Sequence, residues 1–352
     1  MTDENSPVSG SFLALILQWL SEKIKNSYVI VSSLLILGTE IMDLLAIGGI
    51  TFDYLFWVDR LPEKHFEGVI KRHGKFFGGR APNVAVAAAK LGVKTGLVSS
   101  VGEDFATEGY EDYLRTIGVD LRGVIKVSKK KTKQIFIFTD PRGDQITFFD
   151  YGAEGHFRKM DTPCALIKES KIVHISSSGD YKFNIRCARF AYENHVSVSF
   201  DPGNDPFTEI PQYLRRMIKY CEFLFLNNLE ATNIIKRLKL KATSDLQKLG
   251  PKAVVIINKE DKSGMIYVRG EEQMIPSMLK SVKDPTGCSD GFVAAFLAGY
   301  LKGYSLKVAG MLGAIEASFI AEDYGSQTDL PNWDVLFKKY YAIIGRDEDS
   351  LR

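Results

Sequence analysis

The residues best suited to chemistry are Asp284-Pro-Thr-Gly-Cys-Ser-Asp290, where a glycine-bearing turn runs straight into the alanine-rich apolar stretch GFVAAFLAGYLKG. Such a turn predicts a helix N-terminus, with unpaired backbone N–H groups and a partial positive charge, and so an anion site. A carboxylate there opposes the anion unless it has a task of its own. Asp290 has one if it accepts the proton of an alcohol while an anionic group is transferred to that alcohol, which is phosphoryl transfer. The competing reading is a helix cap, because aspartate is a favoured capping residue.

Other polar residues stand at the ends of apolar runs. Asp53 follows LLAIGGI (44–50), and its carboxylate suits two adjacent hydroxyls of a polyol. In GGRAPNVAVAAAKLG (78–92), Gly78 and Gly79 allow a backbone to approach a ligand closely. Asn83 there caps the helix, binds a substrate hydroxyl, or does both. Asn227 and Glu230 follow FLFL as N-x-x-E. That pair suits ordering water around Mg2+, and the same spacing is a helix-start signature. Asn258 and Gly264, at and after AVVIIN, are expected to border a nucleotide. The chain carries neither a Walker A sequence nor the protein-kinase signature set.

These residues need a scaffold, and the apolar runs supply one. LLAIGGI (44–50), TGLVSSVG (95–102), IVHISS (172–177), VSVSFDPG (196–203), FLFLN (223–227) and AVVIIN (253–258) read as strands. Helical stretches at 85–92, 108–118, 183–194, 206–220, 229–238 and 243–249 alternate with them. Near-continuous Val/Ile/Leu runs alternating with helices predict a mainly parallel sheet covered on both faces, a three-layer α/β/α sandwich. Two stretches break the rhythm: FDYLFWVDRLP (52–62) alternates apolar and polar residues, and 133–154 reads as a hairpin with a Pro-Arg-Gly-Asp turn. They predict a small antiparallel sheet, with lid segments at about 52–80 and 120–151. Overhanging the carboxyl ends of the main strands, where open α/β sheets bind ligands, it would exclude water from a reacting phosphate. A decorative insertion or a surface for a homodimer fits the same pattern.

Residues 1–41 read differently from the 42–345 domain. FLALILQWL (12–20) and YVIVSSLLILG (28–38) are apolar, but each is shorter than the ~20 residues that span a bilayer. Three readings fit: an interfacial anchor, extra helical packing, or a segment outside the working protein, with translation starting at Met42. Composition narrows the rest. Among 352 residues, 45 basic against 43 acidic side chains give a net charge of +2, which offers no bulk field for nucleic acid. Four scattered cysteines without a CxxC pair point away from disulfide or zinc scaffolds and toward a reducing cytoplasm.

Taken together, these motifs resemble the ribokinase-like sugar and nucleoside kinases, the PfkB family, over about residues 44–345. Gly78-Gly79 through Asn83, Ala85 and Gly92 to Gly102 matches the family's first signature. DPTGCSD matches the second, usually D-T-T-G-A-G-D, and Asn227-x-x-Glu230 stands in its family place. VGEDF (101–105), GVD (118–120), VHIS (173–176) and DYGSQTDLP (323–331) follow in family order. The resemblance implies an ATP- and Mg2+-dependent kinase. Asp290 would be the general base, and the N–H groups of Gly287, Cys288 and Ser289 the anion hole. Asp53, Gly78, Gly79 and Asn83 would hold substrate hydroxyls. Asn227, Glu230, Asn258, Gly264 and Asp284 would serve the nucleotide, with Glu230 reaching Mg2+ through water. Ser289 replaces the usual second glycine, which strains the turn if its φ is positive and costs little if φ is negative. The acceptor reads as a ribonucleoside, with Phe52, Tyr54, Phe56 or Trp57 either stacking on its base or packing the lid's core. The alternatives are a free sugar (ribose, fructose, 2-keto-3-deoxygluconate), a fructose phosphate held by Arg80, or a non-catalytic sugar- or nucleoside-binding regulator.

Overall fold

The computed structural model describes residues 41–176, 180–203 and 210–344, so the N-terminal extension, Ile41 apart, lies outside the described residues. Those from Met42 onward belong to one compact unit. Its first half runs β1 (Met42–Ile47), β2 (Thr51–Val58), β3 (Ile70–Gly78), α1 (Arg80–Lys90), β4 (Thr95–Val101), α2 (Asp104–Thr107), α3 (Tyr110–Ile117), β5 (Asp120–Lys126), β6 (Lys133–Thr139) and β7 (Gln145–Asp150). The second runs α4 (Cys164–Lys168), β8 (Ser170–Ser176), α5 (Tyr181–Glu193), β9 (Ser197–Asp201), α6 (Pro211–Tyr220), β10 (Phe223–Asn227), α7 (Asn228–Leu238), β11 (Ala253–Ile257), β12 (Gly264–Val268) and β13 (Glu271–Ile275). Helices α8 (Cys288–Leu301), α9 (Leu306–Ala321) and α10 (Trp333–Ile344) complete it.

Nine strands form the large sheet in the order β13-β12-β11-β10-β9-β8-β1-β4-β5. From β11 to β5 they run parallel, and β12 and β13 add an antiparallel edge. The continuous apolar runs are explained by burial on both faces. Leu44, Phe223, Phe225 and Val255 face the cluster built with α1, α8, α9 and α10. Their neighbours Leu45, Leu224, Leu226 and Val254 face the cluster built with α5, α6 and α7. Alternation along the strand puts apolar residues on both sides, so the sheet is sandwiched as expected.

Strand order reverses beside β1, where β4 and β5 extend one way and β8 onward the other. The carboxyl ends of β1 and β8 therefore open a crevice of the kind that holds ligands in such sheets. Over it lies a second sheet, β3-β2-β6-β7. Its outer pairs are antiparallel, as expected, while the central β2–β6 pair is parallel. The lid segment expected at 120–151 begins later, because β5 pairs with β4 in the large sheet and Leu121 and Val124 pack in the core beneath α1 and α3.

Candidate active site

Helix α8 starts where the DPTGCSD motif predicts. Gly287 caps it at φ +82°, and a Cβ there would collide with Ser326, so both backbone and space demand glycine. Ser289 lies in the first helical turn, outside the left-handed region, and its departure from glycine stores no strain. The amides of this turn have no carbonyl one helical turn back, which leaves them free to bind an anion. Cys288 is the exception, since its amide donates to the Pro285 carbonyl at 3.3 Å. Its thiol faces the core, where burial pushes it up to about 12. Asp284, expected to serve the nucleotide, is engaged within the protein. Its carboxylate accepts the Thr286 and Gly325 amides, each at 3.0 Å, because it ties the turn to the loop at 323–331.

Asp290 is buried, and Asn83 Nδ2 donates to its Oδ2 at 2.7 Å. Asn83 does not cap α1, which begins at Arg80 with Gly79 as its cap. Instead Asn83 Oδ1 accepts from Ser326 Oγ and Gln327 Nε2, both at 2.8 Å, so its amide nitrogen must face Asp290. Gln327 Nε2 also donates to Tyr110 Oη at 2.7 Å, and that hydroxyl donates to the Gly78 carbonyl at 3.0 Å. A continuous chain thus runs from the end of lid strand β3 to Asp290. Asp53, on β2, is buried and accepts from Thr51 Oγ1 at 2.6 Å. A side chain at Gly78 would collide with its carboxylate. The Asp53 and Asp290 carboxyls are pushed up to about 6, chiefly by burial, with the Asp290 charge contributing at Asp53 and the Asp201 charge at Asp290.

Arg80 joins this group to a second one. Its guanidinium pairs with Asp201 at 2.5 Å and reaches Asp290 at 3.7 Å. Asn227 caps α7 in a reciprocal box, with Glu230 N donating to Asn227 Oδ1 and Asn227 N to Glu230 Oε2, each at 2.8 Å. N-x-x-E therefore is the helix start it signalled, and it leaves Glu230 Oε1 outside the box. Burial, then the Asp201 charge, push Glu230 up to about 7 against the pull of Arg80. Asn258 shapes the turn between β11 and β12: its side chain accepts the Glu260 amide at 3.0 Å and its amide donates to the Ser263 carbonyl at 2.8 Å. Gly264 opens β12 and packs near Ile256, Ile275 and Phe292.

A buried carboxylate at a helix N-terminus, facing a second carboxylate under a lid, is the equipment of a phosphotransferase with an alcohol acceptor. Residues 43–333 match the sequence pattern of the pfkB family carbohydrate kinases. The chain belongs to that family.

Archaeal nucleoside kinases are among the relatives of this carbohydrate kinase. It is 36% identical over 308 residues to a nucleoside kinase of Methanocaldococcus jannaschii, spanning 86% of this chain and 98% of that one. It is also 36% identical over 307 residues to a nucleoside kinase of Methanothermobacter thermautotrophicus, spanning 87% and 98%. The solved M. jannaschii nucleoside kinase, an archaeal member of the ribokinase family, superposes with a TM-score of 0.80 at 35% identity over 87% of this chain and 100% of that one. A Burkholderia thailandensis nucleoside kinase in complex with inosine shares the fold, with a TM-score of 0.77 at 22% identity over 86% and 99%.

The kinase brings Asp290, Asn83, Asp53, Gly78, Gly79 and the Gly287–Ser289 turn together, with Glu230 linked to them through Arg80. Sequence reasoning missed Asp201, although it ends the apolar run VSVSF just as Asn227 ends FLFL. It also missed Tyr110, Ser326 and Gln327 as aiming residues. The aromatic residues of β2 do not form a stacking surface toward the site. Phe52 is buried against Phe77 and Tyr110, and Tyr54 and Phe56 stack with Phe136 and Phe138 on the opposite face from Asp53. Trp57 shares the face of Asp53 but packs edge-on to Tyr324, with Arg72 over both rings.

Proposed function

We propose that this kinase transfers the γ-phosphoryl group of ATP to a hydroxyl of a ribonucleoside, with Asp290 as the base. The observation that carries the reading is Asp290 itself, buried at the start of α8 and aimed by Asn83. Both relatives at 36% identity are nucleoside kinases. Asp53 and the backbone at Gly78 and Gly79 hold the sugar hydroxyls. Asp290 takes the acceptor proton as the acceptor oxygen bonds to phosphorus and the bond from phosphorus to the ADP oxygen breaks, so ADP leaves and the proton stays on the carboxyl. The amides of Gly287 and Ser289 stabilise the spread negative charge, and the small sheet keeps water out.

Glu230 fits a water-mediated magnesium ion. Glu230 would hold it, through water, by the Oε1 that the capping box leaves out, with Asp201 behind it held by Arg80 and the Gly203 amide; magnesium needs few protein ligands beside water and phosphate. When bound, the ion supplies charge neutralisation on the phosphates. Arg80 is already engaged by Asp201 and Asp290, which argues against its holding a phosphate on the acceptor.

Release of ADP with ATP and Mg2+ across a panel of nucleosides, ribose, fructose, 2-keto-3-deoxygluconate and fructose phosphate tests the reading. The highest kcat/KM is expected for a nucleoside. Preference for a sugar, or binding without turnover, overturns it.

The outer face of the small sheet exposes Phe148 by 59% and Ile146 by 41%, beside the stacked Tyr54–Phe136 and Phe56–Phe138 pairs. A second copy of the chain is the partner proposed for it, and a wild-type monomer in sedimentation equilibrium at micromolar concentration argues against that. A cytoplasmic setting accords with four free cysteines and with no helix among the described residues long and apolar enough to cross a membrane. Cell fractionation checks it, and recovery with membranes rejects it.

A further inference from the structure

The inner face of the small sheet carries two solvent-exposed rings in line with Asp53. In the β2–β6 register Asp53 stands opposite Ile135 and Thr51 opposite Lys133. In the β6–β7 register Ile135 stands opposite Phe149. Residues opposite one another share a face, and every second residue along a strand returns to it. Asp53, Ile135 and Phe149 therefore form one row across the sheet, on the side that faces Asp290. Lys133 lies on the same face, and Tyr151 follows just beyond β7. Phe149 and Tyr151 stack with centroids 6.1 Å apart at 25°, and Lys133 Nζ sits 5.4 and 5.0 Å from their centroids. Glu154 holds that ammonium at 2.7 Å. Glu154 is itself buried against Gly49 in the β1–β2 connection, so the cation is fixed from the body of the protein.

Phe149 and Tyr151 are 51% and 53% exposed. Burying such rings is favourable, so their exposure beside an acceptor site leaves an apolar area for the acceptor to cover. Two interstrand spacings separate β2 from β7, about 10 Å. A molecule held at Asp53 by its ribose hydroxyls reaches across that span only if it carries a ring system beyond the sugar. A free pentose does not.

We propose that Phe149 and Tyr151, with Lys133 set by Glu154, form the shelf on which the heterocyclic base of the acceptor lies, while Asp53 holds its sugar hydroxyls. This rests on the ribonucleoside reading above. The stacking surface is thereby at the end of β7 and the residue just beyond it, not on the aromatic strand β2.

The test is steady-state kinetics of Phe149→Ala and Tyr151→Ala on the full chain with ATP, Mg2+ and the nucleoside panel. Loss of a ring that stacks on a base should raise the nucleoside KM roughly 5- to 100-fold, with KM for ATP moving less than about twofold. Phe149→Leu and Tyr151→Leu keep apolar bulk without a ring and guard against misfolding; they should lose most of the same affinity. Tyr151→Phe should retain it. Unchanged nucleoside KM in the folded variants overturns the shelf while leaving the nucleoside reading intact. A wild-type enzyme that turns over sugars and no nucleoside overturns both. Variants that dissociate a wild-type dimer with nucleoside KM unchanged assign the two rings to a second copy of the chain and overturn the shelf.

Discussion

Replacing Asp290 with asparagine should separate activity from stability. The side chain keeps its shape and still offers an oxygen to Asn83, and Arg80 keeps Asp201 at 2.5 Å, so no buried partner is orphaned. Loss of the base should lower turnover by roughly 10²- to 10⁴-fold. The substitution also removes a carboxyl that burial pushes from its ordinary 3.8 up to about 6. With the folded value above the unfolded one, native Asp290 binds its proton more tightly than the unfolded chain does. The stability this contributes is complete below about pH 4 and is lost as pH rises through 6, a loss of roughly 3 kcal/mol in all. Asparagine has no proton to lose. Titrating the same expression from pH 5 to pH 8 gives a widening of about 1.5 kcal/mol in the variant's stability relative to wild type. Urea unfolding at the two pH values measures it, beside ADP release. A difference that stays constant or narrows refutes the burial argument, and near-wild-type turnover refutes the assignment of the base. Wild-type kcat/KM should rise with pH up to about 6 and level off above it.

Two other substitutions probe the scaffold. Gly287→Ala forces a Cβ into a φ of +82° and against Ser326; it should lower stability by at least ~1 kcal/mol and turnover by tenfold or more, and an unchanged melting temperature contradicts the steric account. Glu316 is fully buried on α9 with neither carboxylate oxygen hydrogen-bonded, and burial holds its carboxyl well above the usual range. Glu316→Leu should stabilise the protein by roughly 1–3 kcal/mol. Because the folded value is raised, wild-type stability falls as pH climbs from its unfolded value, so the gain should grow between pH 5 and pH 8; a variant that melts lower at pH 8 rejects it.

The large sheet was legible because its signal is local. A strand buried on both faces needs apolar side chains at every position, and LLAI, FLFL and AVVII write that into consecutive letters. The polar residue that ends FLFL, Asn227, was legible for the same reason, whereas Asp53, which follows the first apolar run, stands inside β2 of the small sheet. Tertiary pairings were not. Nothing near Arg80 signals that Asp201, far along the chain, will neutralise it. No period in β2 announces that its neighbour β6 runs parallel, which moves Phe149 into line with Asp53. Asn83 looked like a cap because it stands near a helix start, and only the loop at 323–331 reveals that its side chain is engaged elsewhere. Asp284 looked like a ligand because it opens an anion turn, yet both its oxygens serve to hold that turn in place.

The hydrogen-bond chain from Gly78 through Tyr110, Gln327 and Asn83 to Asp290 also has an order in time. A ribosome delivers Asp290 before Ser326 and Gln327, and those two residues are what orient the Asn83 amide. A nascent chain therefore holds every strand of both sheets, and the carboxylate proposed as the base, before the loop that aims Asn83 at it has emerged. The hydrogen bonds that fix the Asn83 amide form only once the short polar loop at 323–331 has been made.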